Sequence, residues 1–182
     1  MNEPFYKDPL AKRTIDFKFA KLLGADTIAS QSVIVPTGLT LASPAPSLLA
    51  GNQTVRAWFS GGTLGAVYPV TCRIVTAAGR EIDLTIDVCI ARKYREIAKD
   101  PDSLIDISVD WSLWLDGQTT LATSAWSSDG GISVSGAGIS GARTTGLLDG
   151  GTLANWYEVL NSISAADGQQ DVYAFMVFIQ QQ

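Results

Sequence analysis

Histidine is absent from this 182-residue chain, and cysteine occurs only twice. Without histidine, most zinc sites, the Ser-His and Cys-His nucleophile pairs and histidine acid–base catalysis fall away together, while a carboxylate-only enzyme stays formally open. Two cysteines are too few for a disulfide framework. Strand parity also separates them, since Cys72 shares a face with Val70 and Ile74 whereas Cys89 lies between Val88 and Ile90. Both thiols are therefore expected to be free. The chain has no run of 18 apolar residues, and its opening Met-Asn-Glu-Pro-Phe-Tyr-Lys-Asp-Pro has neither a basic region nor an apolar core. The expectation is of neither a membrane protein nor a classically secreted one.

Other signatures are missing as well. The glycine-rich stretches Gly61-Gly62-Thr63-x-Gly65 and Gly136-x-Gly138 lack the lysine of a phosphate-binding loop and read as turns. Asp100, Asp102, Asp106 and Asp110 do not have EF-hand spacing, so turn capping is the better reading and no metal or cofactor is expected. The only basic run is Arg92-Lys93-x-Arg95, followed by a strongly acidic stretch, which argues against nucleic acid. Residues 1–91 carry 8 Lys/Arg against 7 Asp/Glu, residues 92–98 carry 3 against 1, and residues 99–182 carry 2 against 10. Such unlike halves suit different partners or a head-to-tail self-contact.

What the chain does have is itself, twice. Lys7-Asp8-Pro9 returns as Lys99-Asp100-Pro101, Thr14-Ile15-Asp16-Phe17 as Ser108-Val109-Asp110-Trp111, and Thr27-Ile28-Ala29-Ser30 as Thr120-Leu121-Ala122-Thr123. Phe59-Ser60-Gly61-Gly62-Thr63 returns as Leu148-Asp149-Gly150-Gly151-Thr152, and Tyr68-x-Val70 as Tyr157-x-Val159. This pattern predicts a duplicated module: residues 1–91 with a short N-terminal arm, a short basic linker at 92–98, and an acidic second module at 99–182. With 46% apolar and 17% charged residues, each module is globular in composition.

Alternation at period two dominates. Leu84, Ile86, Val88 and Ile90 share one face, with Asp83, Thr85 and Asp87 on the other, and Tyr173, Phe175, Val177 and Ile179 repeat the inward row. Strands are expected at 14–19, 27–35, 38–42, 54–59 and 67–76, then at 107–111, 121–126, 132–134, 156–164 and 172–179. Six or seven short strands per module, with turn signals every 8 to 12 residues, predict an all-β chain of two tandem immunoglobulin-like antiparallel β-sandwich domains. Residues 47–50 suit one helical turn. The glycine- and serine-rich stretch 127–146 reads as a loop, mobile at its middle, with weak strand pairing.

Among the aromatics, Trp58, Trp111 and Trp126 sit at alternating strand positions and are expected in the core. Trp114 and Trp156 lie near strand ends, where an aromatic can anchor a partner. Phe5 and Tyr6 precede the first strand with no evident core to enter, so the arm at residues 1–6 is expected to order against a neighbouring subunit. The candidate interface is thus Phe5, Tyr6, Trp114 and Trp156.

Two half-motifs are more specific. Lys99-Asp100-Pro101-Asp102-Ser103-x-Ile105-Asp106-x-Ser108-Val109-Asp110-Trp111-Ser112-x-Trp114-Leu115 resembles the opening of small tailed-bacteriophage proteins of the fibre–tail adaptor family. Ser60-Gly61-Gly62-Thr63-x-Gly65-x-x-Tyr68-x-Val70-Thr71-x-Arg73-Ile74-x-Thr76-x-x-Gly79-Arg80 resembles their closing half. The first module departs from the pattern with Phe17 and Ala20 in place of the tryptophans, and the second has Ser162 where the arginine falls. The resemblance implies a non-enzymatic virion component joining fibres or spikes to the tail. It implies multiple symmetric copies, other virion proteins as partners, no membrane or nucleic acid, and assembly in the host bacterial cytoplasm. A capsid decoration or cement protein would use the same folds and composition, and a carbohydrate-binding adhesin module would need exposed aromatics in a groove.

Overall fold

The computed structural model describes residues 3–181. The chain divides into two compact units, Met1–Ala91 and Arg92–Gln182. In unit 1, β1 (Phe5–Lys7), β2 (Arg13–Lys18), the single helical turn α1 (Ala20–Leu23), β3 (Ile28–Ile34), β4 (Leu39–Leu48), β5 (Thr54–Gly61), β6 (Val67–Thr76) and β7 (Glu81–Ile90) follow in order. They form a four-stranded sheet β1-β7-β6-β3 and a three-stranded sheet β2-β5-β4. Unit 2 repeats the series as β8 (Tyr94–Lys99), β9 (Ile105–Asp110), α2 (Ser112–Leu115), β10 (Leu121–Ser128), β11 (Ile132–Ser140), β12 (Arg143–Gly150), β13 (Trp156–Ala165) and β14 (Gln170–Ile179). Its sheets are β10-β13-β14-β8 and β11-β12-β9.

Strands two, five and four oppose strands three, six and seven, which is the immunoglobulin arrangement. The first strand of each unit joins the second of these sheets and runs parallel to the last strand, β1 to β7 and β8 to β14. Alternation explains the core. In β6 the inward residues Tyr68, Val70, Cys72, Ile74 and Thr76 are all buried, and they face Phe17 from β2 and Val55, Ala57 and Phe59 from β5. Each fully buried aliphatic or aromatic side chain of this kind contributes about 1.5–3 kcal/mol. In unit 2 the inward row Tyr173, Phe175, Val177 and Ile179 packs in the core cluster, and the pairs Tyr68–Val88 and Tyr157–Val177 hold the same register.

Several expectations need correction. Residues 94–99 form β8, the first strand of unit 2, so the stretch read as a linker is built into that unit, with Lys93 O accepting from Ala174 N–H at 3.0 Å. The glycine- and serine-rich segment 127–146 holds the end of β10, all of β11 and the start of β12. Gly136 and Gly141 adopt positive φ at its bulge and turn, which is what those glycines are for. Residues 47–50 end β4 and enter a turn instead of forming a helix, while the two short helical turns fall at α1 and α2. The match around Asp16 also shifts by two residues. Phe19 and Trp111 both precede the helical turn, and their N–H groups bond to Gln53 O and Ala142 O respectively. Phe19 is therefore the counterpart of Trp111, Phe17 that of Val109, and Leu22 that of Trp114.

Cys72 is fully buried and Cys89 half-buried on the other face, and both are free. Burial, with a smaller contribution from Asp83, pushes the Cys72 thiol up to about 12. An aromatic disulfide reagent near pH 8 should titrate Cys89 in the native protein and Cys72 only on unfolding. Fewer than two thiols in the denatured, unreduced chain would contradict this.

Candidate functional site

The duplicated motif residues converge at one end of each sandwich. Lys99 is 1% exposed, and its ammonium donates to the carbonyls of Asp100 at 2.8 Å, Pro101 at 3.3 Å and Gly150 at 2.8 Å. Lys7, also buried, donates to Asp8 O and Gly61 O, each at 2.7 Å. The lysine thus clasps the turn after the first strand to the turn after the fifth. Beside it, the Tyr68 hydroxyl accepts from Thr63 N–H at 3.1 Å and the Tyr157 hydroxyl from Thr152 N–H at 3.0 Å. These are tyrosine corners at the start of the sixth strand, as in immunoglobulin domains. The second glycine of each pair has no room for a side chain, because a Cβ on Gly62 or Gly151 would lie 2.5 Å from Ile90 Cδ1 or Ile179 Cδ1. Gly151→Ala should destabilise unit 2 by about 2 kcal/mol through strain at φ +103 and overpacking. A urea midpoint unchanged from wild type would contradict it. The most motif-like residues are therefore architectural, and the surfaces around them carry whatever recognition the chain performs.

The aspartates of the repeated segments also cap turns. Asp8 accepts from Leu10 N–H, Asp100 from Asp102 N–H and Asp110 from Ser112 N–H. Hydrogen bonds from Ser112, with help from Arg143, hold the Asp110 carboxyl below the ordinary range. The Thr76 hydroxyl, the Thr27 amide and Arg80 do the same for Asp26. Among the described residues, no group of three or more His, Cys, Asp or Glu side chains is arranged to hold a metal ion.

The interiors of the two units differ chemically. In unit 2, Trp111 Nε1 donates to Thr144 Oγ1 and Asn161 Oδ1, both at 3.1 Å. Thr144 Oγ1 donates to Asn161 Oδ1 at 2.7 Å, and Asn161 Nδ2 to Ser124 Oγ at 2.8 Å. The counterparts of Trp111, Thr144 and Asn161 in unit 1 are Phe19, Val55 and Cys72, all apolar and all fully buried.

The structure sorts the candidate interface residues. Trp114 lies on α2 and packs edge-to-face on Trp111 at 5.9 Å against the core, so it is not an exposed anchor. Phe5 enters β1, leans on the core and sits 5.7 Å from the Arg13 guanidinium, so a core does receive it. Residues 1 and 2 of the expected arm lie outside the described residues. Tyr6 is 60% exposed and Trp156 52% exposed. They lie at opposite ends of one equivalent cross-strand row of the repeated fold. On the outer face of the four-stranded sheet, Tyr6, Cys89 and Val67 form a cross-strand row, and Ala98, Phe178 and Trp156 form the same row in unit 2. Trp156 stacks on Phe178 at 4.9 Å. Trp111 and Trp126 pack in or against the core, and Trp58 is buried too, at 8% exposure, but on the opposite parity to Ala57 and Phe59 and outside the main core cluster, with Lys12 Nζ 5.1 Å from its ring centre.

Each unit is immunoglobulin-like, with its repeated motifs serving the architecture and an apolar row on the outer face of its larger sheet. Sequence comparison gives the family. The family described as "Podophage GP4 fiber-tail adaptor protein gp77" matches twice, over residues 7–88 and over residues 99–178. The chain belongs to that family, carrying two copies of its unit. No curated protein matches it. Among solved structures, the titin domains Z1Z2 in complex with telethonin are 9% identical with a TM-score of 0.33, covering 98% of this chain and 93% of that one. The pair Ig1-Ig2 of Dpr2 in complex with DIP-Theta is 10% identical with a TM-score of 0.34, covering 99% and 96%. At these scores the likenesses carry no argument, and the fold rests on its own strand order.

Proposed function

We propose that this chain is a non-enzymatic adaptor that joins fibres or spikes to the tail of a podophage, in multiple symmetric copies. The family match over both units is the observation that carries the reading. Charge supports a division of labour between them. Unit 1, residues 1–91, carries +1, whereas unit 2, residues 92–182, has five Lys/Arg against eleven Asp/Glu and carries −6. Unit 1 binds the tail body and unit 2 the fibre or spike. The exposed rows at Tyr6 and Val67 and at Trp156 and Phe178 serve as contact surfaces, since aromatic residues dominate interface energetics.

The test is to assemble particles without this chain and restore it by complementation. Particles lacking it should have complete tails and no fibres, and the wild-type chain should return the fibres. Fibres attached in its absence would defeat the proposal.

A further inference from the structure

Where the second–third, fourth–fifth and sixth–seventh strand loops gather in unit 2, a cavity of about 530 Å³ opens, lined by Leu115, Gly117, Thr119, Leu121, Ile139 and Ala142 among others. The duplication places a longer side chain at the same end of unit 1. In unit 1 the counterpart of Ala142 is Gln53, because Phe19 N–H bonds to Gln53 O as Trp111 N–H bonds to Ala142 O. The Gln53 side chain runs across this end and donates from Nε2 to Gly24 O at 2.7 Å and Asp26 O at 3.0 Å. In unit 2 alanine removes that plug. The counterpart carbonyl, Asp116 O, receives Gln118 Nε2 at 3.4 Å, long for such a bond. Outside the mouth, Leu113 of α2 is 95% exposed where unit 1 has Lys21, and Ile139 of the lining is also exposed.

We infer that this cavity is a docking site for a basic side chain, arginine or lysine, carried next to an apolar residue on an extended segment of the fibre-side virion partner. The inference rests on the adaptor reading and names the partner's chemistry. The chemistry follows from three features of the site. Asp116 O, the counterpart of the Gly24 O that Gln53 serves at 2.7 Å in unit 1, meets its donor only at 3.4 Å and suits a stronger N–H donor. The walls from Leu115, Leu121 and Ile139 suit a long aliphatic stem. Asp110 and Asp116 flank α2, and Asp167 donates its N–H to Thr119 Oγ1 in the loop that lines the cavity, while Arg143 acts on Asp110, so acidic groups outnumber basic ones among these neighbours and a cation is favoured over a neutral amide. Leu113, outside the mouth, offers a contact for the neighbouring apolar residue.

The test restores unit 1's residues. Ala142→Gln refills the cavity and Leu113→Lys removes the exposed contact. Both variants, in the full chain, should melt at or above the wild-type temperature, and both should enter particles at the wild-type copy number. Fibre protein per particle should fall about tenfold for each, the loss expected for blocking a central anchor. Normal fibre content with Ala142→Gln would overturn the docking site while leaving the adaptor role standing. Loss of the folded variants from the tail itself would overturn the assignment of this end to the fibre side. Fibres on particles with no copy of this chain would instead remove the adaptor role.

Discussion

Replacing Lys99 with alanine should destabilise unit 2 by about 3–5 kcal/mol, the largest effect expected from a single substitution in this chain. Lysine is rarely buried, and Lys99 is buried because its ammonium has three carbonyl acceptors within 3.3 Å and its stem lies within the sandwich end. Alanine removes the stem, leaving a cavity, and deprives Asp100 O, Pro101 O and Gly150 O of their shared donor. Domains of this size have total stabilities of about 5–15 kcal/mol, so the unit would be close to unfolding. Lys99→Met keeps most of the stem and should cost about half as much. Equilibrium urea unfolding, followed by a probe confined to unit 2, measures both. A loss below about 1 kcal/mol for the alanine variant would show that the clasp contributes only geometry.

The second large effect concerns the buried polar network of unit 2. Asn161→Leu should cost about 3 kcal/mol, because the Thr144 hydroxyl and the Trp111 indole lose an acceptor in a dry interior. Unit 1 shows the alternative solution, with Phe19, Val55 and Cys72 in the same three places. Converting unit 2 to that set, Trp111→Phe with Thr144→Val and Asn161→Cys, removes the three buried members of the network together and leaves only the part-exposed Ser124 hydroxyl, which water can reach, so the triple variant should lie within about 1 kcal/mol of the wild type despite large single costs. Additive losses across the three substitutions would contradict the reading that they act as one unit.

Much of this architecture could be read from residues alone, and the exceptions have physical causes. The period-two rows at 84–90 and 173–179 and the opposed parity of the two cysteines survive unchanged, because alternation in a half-buried strand follows from sheet geometry. The repeat itself was visible in Lys-Asp-Pro, the paired glycines and Tyr-x-Val. Its meaning was not, since nothing in a sequence marks a lysine as buried or says that a tyrosine hydroxyl bonds to a loop amide five residues back. The segment 127–146 looked like a loop because glycine and serine are poor strand formers, yet pairing with neighbouring strands overrides that preference. The two-residue slip around Asp16 came from matching an aspartate followed by an aromatic, when the helical turn after Phe19 and Trp111 sets the true register. Of the candidate interface residues, Tyr6 and Trp156 fell in one equivalent row, whereas Phe5 and Trp114 were drawn inward by packing. The cavity at Ala142 was invisible, because an alanine announces nothing until its counterpart is seen to be a glutamine filling the same place.

The central claim is location, and imaging of the native virion at a resolution that resolves strands tests it most directly. The adaptor account predicts density for both immunoglobulin-like units between the tail body and the fibre or spike, in symmetric copies, with unit 1 on the tail side. Density for this chain on the capsid surface, or unit 2 against the tail with unit 1 reaching the fibre, would contradict it.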